Sequence, residues 1–213
     1  MEFLDEAIEA YVERYTSEES KVLKELNRET YSRVLIPRML AGHLQGRVIS
    51  MFSHMINPRQ VLEIGTYTGY SALCWAEGLQ DEGQVHTIDV NEELEEMAAR
   101  YINKAGQTSS VVTYLGNAVD IIPSIDQTFD VVYIDADKEN YSKYYDLVID
   151  KVRTGGYIIA DNVLWSGKVV EVEESQDEDT QALVSYCEKI QSDSRVINVL
   201  FPVRDGLLVA RKL

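Results

Sequence analysis

Between residues 61 and 161, short and almost wholly apolar runs alternate with amphipathic stretches, and this rhythm limits the possible folds more than any other feature of the chain. Segments 61–65, 84–89, 111–115, 129–135 and 157–161 have the length and composition of strands buried on both faces. Segments 70–79, 92–105 and 140–152 instead repeat apolar residues at helical spacing. Strand–helix repeats of this kind predict a doubly wound α/β fold with a mostly parallel sheet. The end departs from the rhythm. After a helix over 179–192, segments 196–201 and 207–211 are joined through Pro202-Val203-Arg204-Asp205-Gly206, which predicts an antiparallel C-terminal hairpin closing one edge.

Residues 1–36 read as helical and polar, with Leu4, Ala7, Ile8, Tyr11 and Val12 at helical spacing and a second helix over 18–31. A third helix is expected over 45–56, with Val48, Ile49, Phe52 and Met55 on one face and Pro58 ending it. The whole chain, 1–213, is expected to be a single domain. In it, residues 1–57 are helical additions that shape an acceptor site or a dimer contact, and 58–213 form the core. The acidic stretch 171–179 reads as a solvated loop.

Composition narrows the function classes. With 45% apolar and 26% charged residues the chain has the balance of a globular protein, and no apolar run is long enough to cross a membrane. The N-terminus is acidic where a secretion signal would be basic, so a cytoplasmic location is expected. The two cysteines, Cys74 and Cys187, lack metal-ligand or redox spacing and are expected to be reduced thiols. A formal net charge of −16 repels polyanions and argues against nucleic acid as a partner, whereas a small or cationic ligand is easily accommodated.

Open parallel sheets bind ligands beyond the carboxyl ends of their strands. The first such turn here is Glu63-Ile64-Gly65-Thr66-Tyr67-Thr68-Gly69-Tyr70-Ser71. Tyr67 stands where a dinucleotide fingerprint needs its second glycine, which weakens a dehydrogenase reading. Glu63 beside the glycine turn suits a cationic group such as the amino group of S-adenosylmethionine (SAM). Asp89, ending the second strand, can accept from both hydroxyls of a ribose, or else serve the start of the following helix. Gly116-Asn117-Ala118 follows the third strand and either borders an adenine or caps a helix.

Asp135 ends the fourth strand, and Asp161-Asn162 end the fifth. If those strands are neighbours, two carboxylates and an amide oxygen meet at one edge, a hard-oxygen set suited to Mg²⁺, Mn²⁺ or Ca²⁺. The bland alternative is that each aspartate caps the helix after it.

The run from Val61 to Ser71, then Tyr133-Ile134-Asp135-Ala136-Asp137-Lys138, Asp161-Asn162-Val163-Leu164-Trp165-Ser166-Gly167 and Pro202-Val203-Arg204-Asp205-Gly206-Leu207 resemble the caffeoyl-CoA O-methyltransferase-like family, relatives of catechol O-methyltransferase. The resemblance spans roughly residues 30–213. It implies a class I, Rossmann-like SAM methyltransferase with a seven-stranded sheet, and usually a homodimer. By position it makes Asp135, Asp161 and Asn162 the metal ligands. Glu63, Gly65, Tyr67, Tyr70, Ser71, Asp89, Ala118 and Asp135 then line the SAM site. Lys138 and Asp135 become the catalytic pair, with Lys138 as general base. Leu208 stands where animal catechol enzymes place a substrate-orienting glutamate, and 168–179 matches poorly.

The expected reaction is in-line transfer of the SAM methyl group to a hydroxyl of a small phenolic acceptor with vicinal hydroxyls. A divalent cation would hold two neighbouring acceptor oxygens while Lys138 takes the proton. Trp165 either walls an aromatic acceptor or packs in the core. The rival enzyme reading is O-methylation of a 5-hydroxyuridine in tRNA, disfavoured by the acidic charge; the non-catalytic rival is a SAM-binding scaffold.

Overall fold

The computed structural model describes residues 5–213, so Leu4, counted above on the first helical face, lies outside the described residues. The chain divides into two compact units, Leu4–Asn117 and Ala118–Leu213.

In the first unit, α1 (Glu6–Arg14), α2 (Lys21–Arg33) and α3 (Gly42–Ile56) precede β1 (Gln60–Ile64), α4 (Tyr70–Ala76), β2 (Gln84–Asp89), α5 (Glu92–Lys104) and β3 (Val111–Leu115). The helices start where side-chain oxygens satisfy orphan amides: Asp5 accepts from Ala7 N–H, Ser20 from Leu23 N–H and Asn91 from Glu93 N–H. Glu92, Glu93 and Glu95 add negative charge where the α5 dipole is positive. The strands pair in parallel, with Val61 opposite Val85 and Val85 opposite Val111. Val61, Leu62, Ile64, Val85 and Ile88 are all buried. Burial of each such side chain contributes about 1.5–3 kcal/mol.

α3 corrects the sequence reading. Its packed face is Gln45, Gly46, Ile49, Ser50 and Ser53, while Met55 is exposed and Val48 and Phe52 are only half-buried. The cause is close approach to α4 and the turn after it. A Cβ on Gly46 would lie 2.6 Å from Tyr70 Cε1, one on Gly78 would lie 2.3 Å from His54 N, and Ser53 Oγ donates to the Trp75 carbonyl at 2.6 Å. Small residues allow that approach, and hydropathy alone does not detect them. Likewise, Ile8 and Tyr11 on the anticipated apolar face of α1 are exposed.

The second unit holds α6 (Ala118–Ile121), β4 (Phe129–Ile134), α7 (Tyr141–Val148), β5 (Val152–Ala160), α8 (Glu178–Ser192), β6 (Val196–Phe201) and β7 (Leu207–Lys212). β4 and β5 are parallel, whereas β7 runs antiparallel to both β5 and β6. The short α6 begins directly after Asn117, where the sequence left a helix start open as one of two readings. β5 begins five residues before its expected start at Tyr157, since Val152 already pairs with Phe129. The register then shifts before Val131 meets Tyr157, with Gly155 at φ 79° in the intervening stretch. α7 accordingly ends at Val148 rather than at 152. Within 171–179 the described residues are mostly exposed, though a 3₁₀ turn spans Glu173–Ser175.

The strand order is β3-β2-β1-β4-β5-β7-β6 in a seven-stranded sheet, the mixed and mostly parallel α/β architecture expected from the sequence. Among the described residues no helix is long and apolar enough to cross a membrane.

Candidate active site

At the end of β1 in the first unit, the chain turns through Gly65 (φ 109°), Tyr67 (φ 50°) and Gly69 (φ 88°), and Gly69 caps α4. The two glycines adopt left-handed backbone at no steric cost, whereas Tyr67 adopts it with a side chain and is held there by the Asp89 carboxylate on its N–H. Asp89 ties this turn to the one after β2. Its Oδ2 accepts from Tyr67 N–H at 2.6 Å and its Oδ1 from Asn91 N–H at 2.9 Å. The cap of α5 is Asn91 itself, so Asp89 is not consumed as a helix cap.

Glu63 is fully buried, and its Oε2 accepts from Thr87 Oγ1 at 2.5 Å; Thr87 in turn meets Thr66 Oγ1 at 2.6 Å. Tyr70 is buried against α3, its hydroxyl donates to Glu19 just ahead of α2, and burial drives its pKa far above the phenol range. Ser71 is half-buried in the first turn of α4. A cleft of ≈ 310 Å³, counted out to its open mouth, is lined by Tyr67, Asp89, Asn91, Glu95, Tyr114 and Leu115 among others. Tyr67 and Asp89 of the anticipated nucleotide set thus share one cavity. In the second unit, Ala118 is buried as the first residue of α6.

The second unit brings the carboxylate cluster together. Asp135 follows β4 directly and Asp161 follows β5, and these strands are paired up to Ile134 and Ala160. Lys138, from the 3₁₀ turn after Asp135, is buried with its ammonium inside the cluster. It donates to Asn162 Oδ1 at 2.9 Å, to Tyr141 Oη at 2.6 Å and to Asp135 Oδ1 at 3.4 Å. The same ammonium lies 5.5 Å from the centroid of the Trp165 ring, within cation–π range.

Asp161 is held from both sides, with Oδ2 accepting from Tyr133 Oη at 2.9 Å and Oδ1 from Asn162 N–H at 2.7 Å. Tyr141 Oη donates to the Asp161 carbonyl at 3.1 Å, which links the lysine to the same residue. Asp135 keeps 26% of its side-chain surface open, enough to meet a ligand. Burial first, then the Asp161 carboxylate beside it, push the Asp135 carboxyl well above the usual carboxylate range, against the pull of Lys138. Burial, followed by Asp135 and Asp161, holds Tyr141 neutral well beyond the phenol range.

Three residues at this site were given no role by the sequence reading. Tyr141 lies one helical turn beyond Lys138, a spacing that could have suggested contact. Tyr133, two residues before Asp135 on β4, meets a partner 28 positions away in Asp161, and Asp205 reaches Ser166 across 39 positions, pairings that nothing local signals. Asp205 accepts from Ser166 N–H, and burial raises its pKa.

The molecule is thus a doubly wound α/β protein with a glycine turn tied to Asp89 in one unit, and a lysine set among carboxylate and amide oxygens in the other. The family model of O-methyltransferases matches residues 13–213. A caffeoyl-CoA O-methyltransferase of Stellaria longipes is 30% identical over 92% of this chain and 85% of its own length. Among solved structures, the SAH-bound methyltransferase PaMTH1 of Podospora anserina superposes with a TM-score of 0.90 at 26% identity, covering 100% of this chain and 98% of its own. The Bacillus cereus O-methyltransferase in complex with SAH gives 0.89 at 27% identity, covering 97% of each chain. The chain belongs to the SAM-dependent O-methyltransferase family, of the caffeoyl-CoA O-methyltransferase type.

Proposed function

We propose that this enzyme methylates one hydroxyl of a small aromatic acceptor with vicinal hydroxyls, using a divalent cation, Mg²⁺ first and Mn²⁺ or Ca²⁺ as alternatives, held by Asp135, Asp161 and Asn162. The observation that carries the reading is the Lys138 ammonium, which donates to Asn162 Oδ1 and Asp135 Oδ1 beside the Asp161 carboxylate. A positive group is already accommodated among oxygens of the kind that hard divalent cations select. Asp135 and Asp161 face a single lysine, and burial first, then the Asp161 carboxylate, raise the Asp135 pKa. The donor set therefore fits such an ion. When bound, the cation would supply Lewis-acid stabilisation of negative charge on the acceptor oxygens.

The residues of the chain account for the remainder. Glu63, Gly65, Tyr67, Tyr70, Ser71, Asp89, Ala118 and Asp135 are proposed to form the SAM site. The buried Glu63 carboxylate would answer the donor's amino group, and Asp89, in its cleft, would accept from the ribose hydroxyls. In its neutral form, reached by loss of the ammonium proton to solvent, Lys138 would accept at Nζ the proton leaving the acceptor hydroxyl, oriented by Tyr141. Trp165, half-buried with its ring beside Lys138, would wall the acceptor and help exclude water. The net charge of −16 supports a small acceptor over a polyanion such as tRNA. Homodimeric association and a cytoplasmic location belong to the same proposal.

The test is a panel of vicinal dihydroxy aromatics, including caffeate and its CoA ester, assayed with and without divalent metal and read by product mass. Methylation that depends on both vicinal hydroxyls and metal supports the reading. Equal rates after metal stripping, or activity confined to a hydroxyuridine-containing RNA, overturn it.

A further inference from the structure

We propose that Asp205 is a positioning residue that clamps the turn carrying Asn162 and Trp165, and so sets the direction of both side chains toward Lys138. This rests on the reading of Asn162 as a cation ligand and Trp165 as an acceptor wall. Asn162, Trp165 and Ser166 all have left-handed backbone, at φ 59°, 45° and 55°. Asparagine tolerates that conformation, but a bulky tryptophan adopts it only where the surroundings enforce it.

Those surroundings are the β6–β7 turn. Leu164 N–H donates to the Asp205 carbonyl at 2.8 Å, Ser166 N–H to Asp205 Oδ1 at 2.5 Å, and Val163 N–H to the Gly206 carbonyl at 3.3 Å. Three amides in the strained stretch are thereby satisfied by two consecutive residues. Gly206, at φ 89°, permits the approach, since a Cβ there would lie 2.5 Å from Leu164 Cγ. The carboxylate is the only side-chain element of the clamp. Without it, Ser166 N–H loses a charge-assisted partner and the left-handed pair Trp165-Ser166 loses one restraint.

The chain has two tryptophans, and Trp75 is fully buried, so a change in solvent exposure of indole emission reports Trp165. Asp205→Ala is expected to red-shift that emission, to weaken Mn²⁺ binding by ~10-fold or more, and to leave SAH affinity unchanged. The shift should vanish in the double variant with Trp165→Phe. Asp205→Asn keeps an acceptor oxygen and is expected to restore native emission and Mn²⁺ affinity to within about 3-fold. Should the alanine variant fail to fold, Asp205→Ser, whose hydroxyl is one bond too short, must show the same red shift. Native emission together with native Mn²⁺ affinity in the truncated variant overturns the clamp. Wild-type protein with no affinity for Mn²⁺ instead refutes the cation reading, and the emission test of the clamp is unaffected by that result.

Discussion

Lys138 Nζ and Asn162 Oδ1 lie 2.9 Å apart, so the lysine occupies an oxygen that the proposed cation site also needs. Lys138 must release Asn162 for that oxygen to serve a cation, and as a base it would first lose its ammonium proton to solvent, the amine beside Tyr141 then being free to take the acceptor's proton. Removing the ammonium also leaves Asp135 and Asp161 uncompensated. Lys138→Met should therefore lower kcat by about 10²–10⁴ while Mn²⁺ binding becomes equal or tighter. Titration calorimetry checks the second half; clearly weaker binding in the variant would mean that the lysine supports the site instead of competing for it.

The proposed cation-ligand role of Asp161 predicts that turnover and donor binding respond differently to its loss. Asp161→Asn retains an acceptor for Tyr133 Oη, so the fold should hold, but it removes one of the two carboxylates. Turnover is expected to fall by at least ~100-fold, an order of magnitude typical for loss of charge stabilisation, with SAH affinity within about twofold. Chelator treatment of the wild type should reproduce that loss, and added Mg²⁺ should reverse it. A chelated enzyme at full rate is the result that removes the metal from the mechanism.

Gly78 tests the packing of α3. An added Cβ would lie 2.3 Å from His54 N and 2.4 Å from Ser53 C, both backbone atoms that cannot rotate away. Gly78→Ala should cost about 1–3 kcal/mol or more, and lower Tm by roughly 2–4 °C for each kcal/mol. Thermal unfolding followed by circular dichroism measures it, and an unchanged Tm would contradict the close approach described for α3.

Glu29 gives stability a pH signature. Its carboxylate accepts from both Arg100 nitrogens, at 2.8 and 3.0 Å, and from Tyr101 Oη at 2.7 Å. The Arg100 hydrogen bond first, then Tyr101, lower its pKa from 4.5 to about 2. A folded-state pKa below the unfolded one means the contribution is complete above about 4.5 and disappears as pH falls through about 2. Denaturant titrations across that window should show Glu29→Gln flattening the acid limb of the stability profile. Parallel limbs in the two proteins would show that the pair contributes nothing.

The sequence by itself determined the α/β rhythm, five of the parallel segments and the closing hairpin, because apolar runs and glycine turns act locally. It also named Asp135, Asp161 and Asn162, since strand-end positions in an open sheet fall at one edge wherever the strands are neighbours. What the chain could not declare locally was decided by tertiary contact. The packed face of α3 follows from how closely α4 approaches, a matter of small residues that carry no hydrophobic signal. The early start of β5 follows from Val152 finding Phe129 across the sheet. The seat of the Lys138 ammonium, the Tyr133 bond to Asp161 and the hold of Asp205 on Ser166 join residues 24, 28 and 39 positions apart. Spacing along a chain cannot specify such pairs, because their geometry exists only once the strands and turns that carry them have been brought together.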